Sequence, residues 1–180
     1  MTQTGSVYGQ ALYDLALSEG LSKTIADQLY ILDHCFSVEE PNFLKLLASP
    51  NLSKQERCQI LDDCFRNKVH PYVLNFLKIL TEKGYIRHFS NCVAAYRDCD
   101  YRDNNILPVD AVTAVPLTGD QLKRLTKKLI SITGKSIILQ NHIDPSVLGG
   151  IRLDYDGKRL DDTLSHRLES VRSMLKNTVL

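Results

Sequence analysis

The hydrophobic pattern of this chain changes within DCDYRDNNILPVDAVTAV, residues 98–115. Residues 98–105 are polar and are typical of a helix end followed by a junction. Beyond them Leu107, Val109 and Ala111 alternate with other residues, as in a half-buried strand. Before the stretch, apolar residues recur at three- and four-residue spacing, which predicts helices. The sequence therefore predicts an α+β protein with two domains, residues 1–105 and residues 106–180.

The first hundred residues predict six helices in succession. Gly20 and Gly84 follow apolar helical rows and are typical of helix ends. Pro41 and Pro71 suit the first turn of a helix, and Ser53-Lys-Gln-Glu56 has the form of a capping box. Because the connections are short, we expect the six helices to form an antiparallel bundle.

The remaining residues predict the order strand, helix, strand, strand, helix. Thr118-Gly-Asp-Gln121 is a second capping-box pattern ahead of a helical row. Alternation over residues 137–143, and again over residues 147–155, predicts the second and third strands across a turn at residues 144–146. The final helix is expected from about Asp162, with the apolar residues Leu164, Leu168, Val171 and Leu175.

The charges nearly cancel, with 22 Lys and Arg against 21 Asp and Glu in 180 residues. A net charge of +1 argues against nucleic acid or anionic lipid as a partner held mainly by charge. Residues 1–105 carry 11 basic and 13 acidic side chains, whereas residues 106–180 carry 11 and 8. Much of the basic excess of residues 106–180 lies on one face of a predicted helix, at Lys123, Arg124, Lys127 and Lys128. This face either is solvated or binds an acidic protein.

The five cysteines lie within the first 99 residues and predict neither a disulfide framework nor a metal site. Their number is odd, no pair forms Cys-x-x-Cys, and the N-terminus lacks the features of a secretion signal. Free thiols in a reducing compartment are the expected state. The apolar stretches are also too short for a membrane span, so composition predicts a soluble intracellular protein.

No catalytic, cofactor or metal site is expected from the motifs. Gly134-Lys135-Ser136 resembles the end of a phosphate-binding loop, but the earlier glycine is replaced by Leu129 and the triplet leaves a helix. The run from Asp154 to Gly157 lacks the third oxygen position and the closing Glu of a calcium loop. Asp161 and Asp162, followed by His166, could form an acid–base site. The helix dipole, which favours negative charge at a helix start, explains these residues better.

Two apolar helix rows remain. One row, in the first helix, consists of Tyr8, Ala11 and Leu15 with the small Gly9 beside them, and the other, in the fifth helix, runs from Val73 to Leu80. These rows have two interpretations. They either form a groove for a third amphipathic helix or belong to the bundle core. Composition and pattern thus favour a non-enzymatic adaptor.

Several segments are informative through their order and spacing along the chain. They are Tyr8-Gly-Gln-Ala-Leu-Tyr-Asp-Leu-Ala16, Asn75-Phe-Leu with Gly84, Val112-Thr-Ala-Val-Pro-Leu117, Gly134-Lys135, Asp144-Pro-Ser-Val-Leu-Gly-Gly-Ile151, and Asp161-Asp-Thr-Leu with Arg167-Leu168. Through these segments nearly the whole chain resembles the delta subunit of F-type ATP synthase, called the oligomycin sensitivity-conferring protein in mitochondria. The chain departs from the family at Val7 and Tyr85, where the family usually has basic residues, so no local salt bridge is expected there.

The resemblance implies a stator subunit without catalysis or cofactor, present in one copy per complex. It implies that the N-terminal domain sits on the α/β hexamer and grips the N-terminal helix of an α subunit between the first and fifth helices. The residues implied for this grip are Tyr8, Ala11, Leu12, Leu15, Val73, Phe76, Leu77 and Leu80. The C-terminal domain is expected to join the peripheral-stalk b subunit around Val147, Leu148, Gly149, Gly150 and Ile151.

The absence of an Arg- and Ser-rich leader favours a bacterial source and a peripheral location on the cytoplasmic side of the inner membrane. Two alternatives to the stator stay open. The first is a two-domain helical adaptor or RNA-binding module unrelated to ATP synthase, and RNA binding would need a basic face on residues 1–105. The second is a small phosphotransferase, which would need a working site at Gly134-Lys135-Ser136. Co-purification with the α/β hexamer would separate the stator from both alternatives.

Overall fold

The computed structural model describes residues 3–164 and residues 166 and 168. It divides the chain into two compact units, Met1–Asp100 and Tyr101–Leu180. Within the described residues, helices and one mixed sheet confirm an α+β protein. The α-helices are α1 Gln3–Ser18, α2 Ser22–His34, α3 Pro41–Leu47, α4 Lys54–Phe65, α5 Pro71–Glu82, α6 Phe89–Asp103 and α7 Gly119–Thr133. The strands are β1 Ile106–Thr113, β2 Ser136–Ile143, β3 Ile151–Tyr155 and β4 Lys158–Asp161.

The predicted stop signals end α1 and α5 in the same way. Gly20 and Gly84 adopt left-handed φ values of 68° and 77°. In each case the following residue donates its N–H back into the last turn, from Leu21 to the Ala16 carbonyl at 2.8 Å and from Tyr85 to the Leu80 carbonyl at 2.7 Å. These are Schellman caps, which reverse the chain tightly and fix the direction of the residue that follows.

The predicted starts of α4 and α5 are also present. Ser53 and Glu56 form a reciprocal capping box at α4, and Pro71 occupies the first turn of α5. The side chain of Ser22 does not cap α2, because Leu21 takes the capping position. Instead the Ser22 carbonyl accepts a 2.8 Å hydrogen bond from the Tyr96 hydroxyl of α6.

The core of the first unit is built from the inner faces of its helices. After α2 the chain continues as a π-helical segment, Cys35–Glu39, which carries the buried Phe36. The Phe36 ring lies 5.4 Å from both Phe43 and Phe89. This aromatic cluster joins α3 and α6 to the segment after α2 and is favoured by edge and offset ring geometry.

The second unit is a four-stranded sheet in the order β2-β1-β3-β4. The central strand β1 runs parallel to β2 and antiparallel to β3. Pro108 is tolerated there for a geometric reason. The amide of Ser136, the first residue of β2, donates to the carbonyl of Asn105 just before β1 at 3.0 Å. In this parallel register the backbone groups of the odd-numbered β1 residues therefore point toward β2. The Pro108 nitrogen therefore points to the other side, beyond the last β1–β3 pair, Asp110 with Asp154.

The third predicted strand was too long, and one strand was missed. Residues Pro145–Val147 form a 3-10 turn, and Leu148, Gly149 and Gly150 have φ values of 60°, 155° and 86°. Residues with such backbone angles do not extend a strand, so β3 begins at Ile151. The missed strand, β4, returns from β3 through the two-residue turn Asp156-Gly157, whose positive φ values suit a tight hairpin.

The helix α7 follows the sequence prediction closely. Thr118 and Gln121 form its capping box, and Gly134 ends it with φ 67°. Its Leu129 packs with Val109, Ala111 and Leu153 on one face of the sheet. Of the predicted final helix, Leu164, His166 and Leu168 are helical, while Val171 and Leu175 lie outside the described residues. None of the described helices has both the length and the apolar character to cross a membrane.

Candidate partner-binding surfaces

One side of α1 presents apolar side chains to solvent. Val7, Ala11 and Leu15 are spaced four residues apart and so follow one another along the same helix face. Val7 is 62% exposed and Leu15 is 42% exposed. The opposite face of α1 supplies core residues such as Ala16. The helix therefore contributes to the core on one side and leaves an apolar stripe on the other.

Five of the eight residues expected to grip an α subunit belong to the core of this chain. They pack in one cluster with each other and with residues of α2 and α6. In the chain alone they offer little surface, because periodicity identifies an apolar face without saying what covers it. The five, with their exposed fractions, are Leu12 5%, Val73 0%, Phe76 6%, Leu77 0% and Leu80 0%.

The remaining three expected residues lie together with an aromatic residue that the sequence reasoning did not select. The Tyr8 ring is 5.9 Å from the ring of Tyr85, which follows the glycine cap of α5 and is 38% exposed. We call Val7, Tyr8, Ala11, Leu15 and Tyr85 the α1–Tyr85 surface. The available signal was the pair Gly84-Tyr85, because a glycine cap fixes the direction of the residue after it.

Most of the loop expected to meet the b subunit packs against other residues of the same chain. Val147 is buried, and a Cβ on Gly150 would overlap the Asp162 carbonyl oxygen. The Gly149 carbonyl accepts from Leu164 N–H at 3.0 Å. The two glycines therefore allow close packing of residues 162–164. Leu148, at 70% exposed, is the apolar side chain of this loop that reaches solvent.

Several charged groups on the sheet form ion pairs. Asp154 accepts from Arg159 Nε at 2.7 Å and from Arg152 Nε at 3.2 Å. The hydrogen bond from Arg159 is the main cause that lowers the pKa of Asp154. His142 Nε2 lies 3.0 Å from Asp110 Oδ1. A carboxylate held ionised by two guanidinium groups is a poor proton donor near neutral pH, which disfavours acid catalysis here.

The remaining sequence motifs take structural positions. Gly134 is the C-terminal cap of α7 and Ser136 begins β2, so the triplet leaves a helix and enters a strand, as predicted. None of the five cysteines, all of which lie in the described part of the chain, forms a disulfide. Across the described ranges, no three His, Cys, Asp or Glu side chains are grouped so that they could hold a metal ion.

The comparisons with known proteins agree along nearly the whole chain. The family model for the ATP synthase delta (OSCP) subunit matches residues 5–175. The chain is 32% identical to ATP synthase subunit delta of Alkaliphilus oremlandii, over 96% of each protein. It is 26% identical to ATP synthase subunit delta of Clostridioides difficile, over 96% of this chain and 95% of that one.

A solved structure supplies the same fold at lower identity. A chain in the cryo-EM structure of the Toxoplasma gondii mitochondrial ATP synthase hexamer matches with a TM-score of 0.77 and 19% identity, over 97% of this chain and 98% of that one. The chain therefore belongs to the ATP synthase delta (OSCP) subunit family, and it is a non-catalytic stator subunit of the ATP synthase.

Proposed function

We propose that the chain performs its stator role by binding the N-terminal helix of an ATP synthase α subunit on the α1–Tyr85 surface. The observation that carries this proposal is the exposed apolar stripe of α1, with Val7 and Leu15 at 62% and 42% exposed. An exposed stripe of this kind suits an amphipathic helix, which can lay its own apolar face against it.

The apolar character of this surface fits a mechanical load. Rotation of the central stalk would drag on the α/β hexamer, and the clamp would have to resist that torque. Burial of apolar area contributes about 25 cal/mol for each Å² and is not weakened by electrostatic screening, whereas exposed ion pairs are screened by salt. The presence of Val7 and Tyr85, where the family usually has basic residues, makes this surface still more apolar.

The core residues of α5 take a positioning role in this proposal. Val73, Leu77 and Leu80 hold α5 in the bundle without contacting the α subunit themselves. Because Tyr85 follows the cap of α5 by a single glycine, the packing of α5 sets where the Tyr85 ring lies against Tyr8. The exposed members of the surface then make the contact.

We further propose that residues 1–105 act as an antiparallel six-helix bundle on the hexamer and that residues 106–180 join the peripheral-stalk b subunit. Within the loop expected for that contact, Leu148 is the accessible apolar side chain. The proposed location is peripheral, on the cytoplasmic side of a bacterial inner membrane. Co-purification of the full chain with the α/β hexamer tests this assignment against an RNA-binding or other adaptor.

The proposed contact with the α subunit is tested by substitutions on two sides of α1. Leu15→Asp and Ala11→Glu place charge on the α1–Tyr85 surface, so each should abolish binding of an α-subunit N-terminal peptide in titration calorimetry. Leu17→Asp is the matched control, since Leu17 is 51% exposed but lies on another side of the same helix. Circular dichroism should show that all three variants keep their helices. Unchanged peptide affinity in Leu15→Asp, or an equal loss in Leu17→Asp, would refute the contact.

A further inference from the structure

The outer face of α7 carries an unusual concentration of positive charge. Lys123, Arg124, Lys127 and Lys128 are all exposed and form two adjacent rows, each with side chains one helical turn apart. The helix contains a single acidic residue, Asp120, in its first turn. Like charges one turn apart repel each other, so this face weakens the isolated helix rather than supporting it.

These four cations differ from the two arginines of the sheet. Arg152 and Arg159 are neutralised by Asp154 at 3.2 and 2.7 Å. Among the described residues, no ion pair includes any of the four α7 cations. Their charge is therefore available to a partner. We call these four side chains the α7 basic face.

Exposed isoleucines border the α7 basic face. Ile130 follows Lys127 by three residues, so it continues the same row, and it is 43% exposed. Ile132 is 71% exposed in the last turn. A face that only served solubility would gain nothing from exposed isoleucines, whereas apolar contacts beside charged rows are common where two helices pack.

We propose that the α7 basic face binds an acidic helical segment of another ATP synthase subunit. This inference rests on the proposed function and adds to it a surface outside the loop at residues 147–151. Carboxylates spaced four residues apart on a facing helix would match the rows Lys123–Lys127 and Arg124–Lys128. Charge complementarity of this kind sets the orientation and speeds the association of partners.

A membrane surface is the less favoured occupant because of how α7 packs. A helix that binds a bilayer buries its apolar face among the lipids. The apolar side of α7 is instead committed to the sheet, where Leu129 is 8% exposed and Leu125 packs beside it. Only the head groups would then be in reach, so the bilayer enters the test as the competing outcome.

The test uses the full chain and ATP synthase from which this subunit has been stripped. Lys123→Gln with Lys127→Gln removes one row while keeping good helix formers. Lys54→Gln with Lys68→Gln removes two exposed charges from the first unit and is the matched control. We expect the α7 variant to raise Kd for the stripped complex by about five- to tenfold at low salt and to flatten its salt dependence. The control should leave both quantities unchanged.

Three results would overturn the inference. Equal affinity of wild type and the α7 variant for the stripped complex contradicts the inference alone. Binding of wild type to vesicles with about 30% phosphatidylglycerol that is lost in the α7 variant, with unchanged complex binding, assigns the face to lipid instead. Failure of wild type to bind the complex contradicts the proposed function, and the inference with it.

Discussion

Gly9 of α1 lies directly against the backbone of Cys92 in α6. A Cβ on Gly9 would overlap the Cys92 carbonyl oxygen and would come within 2.8 Å of the Ala95 Cβ. The two helices therefore cross at a point where only glycine fits. This crossing supports the face of α1 opposite to the exposed Leu15, so it positions the α1–Tyr85 surface.

Replacing Gly9 should destabilise the first unit although alanine is the better helix former. We expect Gly9→Ala to lower the free energy of unfolding by about 1–3 kcal/mol, since the carbonyl cannot move aside without shifting α6. Far-UV circular dichroism during urea unfolding measures the change. Gly119→Ala, at a position with nothing within 4 Å, is the control and should have little effect. Similar losses in both variants would contradict the close crossing.

The second unit has a corresponding test at Gly150. Gly150→Ala should cost more than Gly134→Ala, although both glycines have positive φ, 86° and 67°. Both substitutions carry the left-handed backbone penalty of about 1–2 kcal/mol. Only at Gly150 does the new methyl group also meet the backbone of Asp162 and Thr163. Hydrogen exchange of the β3 amides measures the difference, and equal loss of protection in both variants would show that the close approach is unimportant.

An ion pair between α4 and α5 makes stability depend on pH. Lys78 Nζ lies 2.7 Å from Asp62 Oδ2, and this hydrogen bond is the main cause that lowers the pKa of Asp62 below its ordinary 3.8. The stabilisation is present above pH 3.8 and is lost as the pH falls through the lower pKa of the folded state.

We therefore expect Asp62→Asn to have a lower free energy of unfolding than wild type at neutral pH. This difference should shrink in acid, where the Asp62 carboxyl of wild type becomes protonated in both the folded and the unfolded state. Urea unfolding at pH 7 and at about pH 3 measures this difference. Asp27→Asn, at an exposed position of α2, is the control. A gap between wild type and Asp62→Asn that stays constant across this range would show that the ion pair contributes nothing.

The cysteines should differ in reactivity. Burial raises the pKa of Cys92 to about 11, and its side chain is 1% exposed. Because the thiolate is the reactive form, iodoacetamide should leave Cys92 unmodified in the folded protein while it labels the half-buried Cys64. Mass spectrometry of digests from folded and urea-unfolded protein reads both sites. Labelling of Cys92 at the rate of Cys64 in the folded chain would contradict its place in the core.

The sequence predicted best where a single residue type acts locally. Pro41 and Pro71 start helices, and Gly134 ends one, because each restricts or frees its own backbone. Prediction from the sequence failed where the pairing of strands decides the structure. The strand β4 has four residues, three of them charged, and becomes a strand only through its hairpin with β3. The apparent alternation from Val147 to Ile151 was coincidental, since Leu148 and the two glycines turn the chain.

The candidate surface shows the same division. The four-residue spacing in α1 and the row in α5 identified two apolar faces correctly. Only burial separates Leu15, which reaches solvent, from Leu77 and Leu80, which do not. Tyr85 was missed because its importance depends on a distance to Tyr8 that no spacing along the chain encodes.

The position of β1 in the sheet has a consequence for how the chain folds as it leaves the ribosome. In the first unit, helices that follow one another also pack together, as α1 does with α2 and α4 with α5. That unit can complete its core once α6 has emerged. The central strand β1 emerges next, yet its neighbours β2 and β3 come only after α7. Both edges of β1 therefore stay open during the synthesis of those residues, and this is the interval in which a nascent chain most needs protection from aggregation.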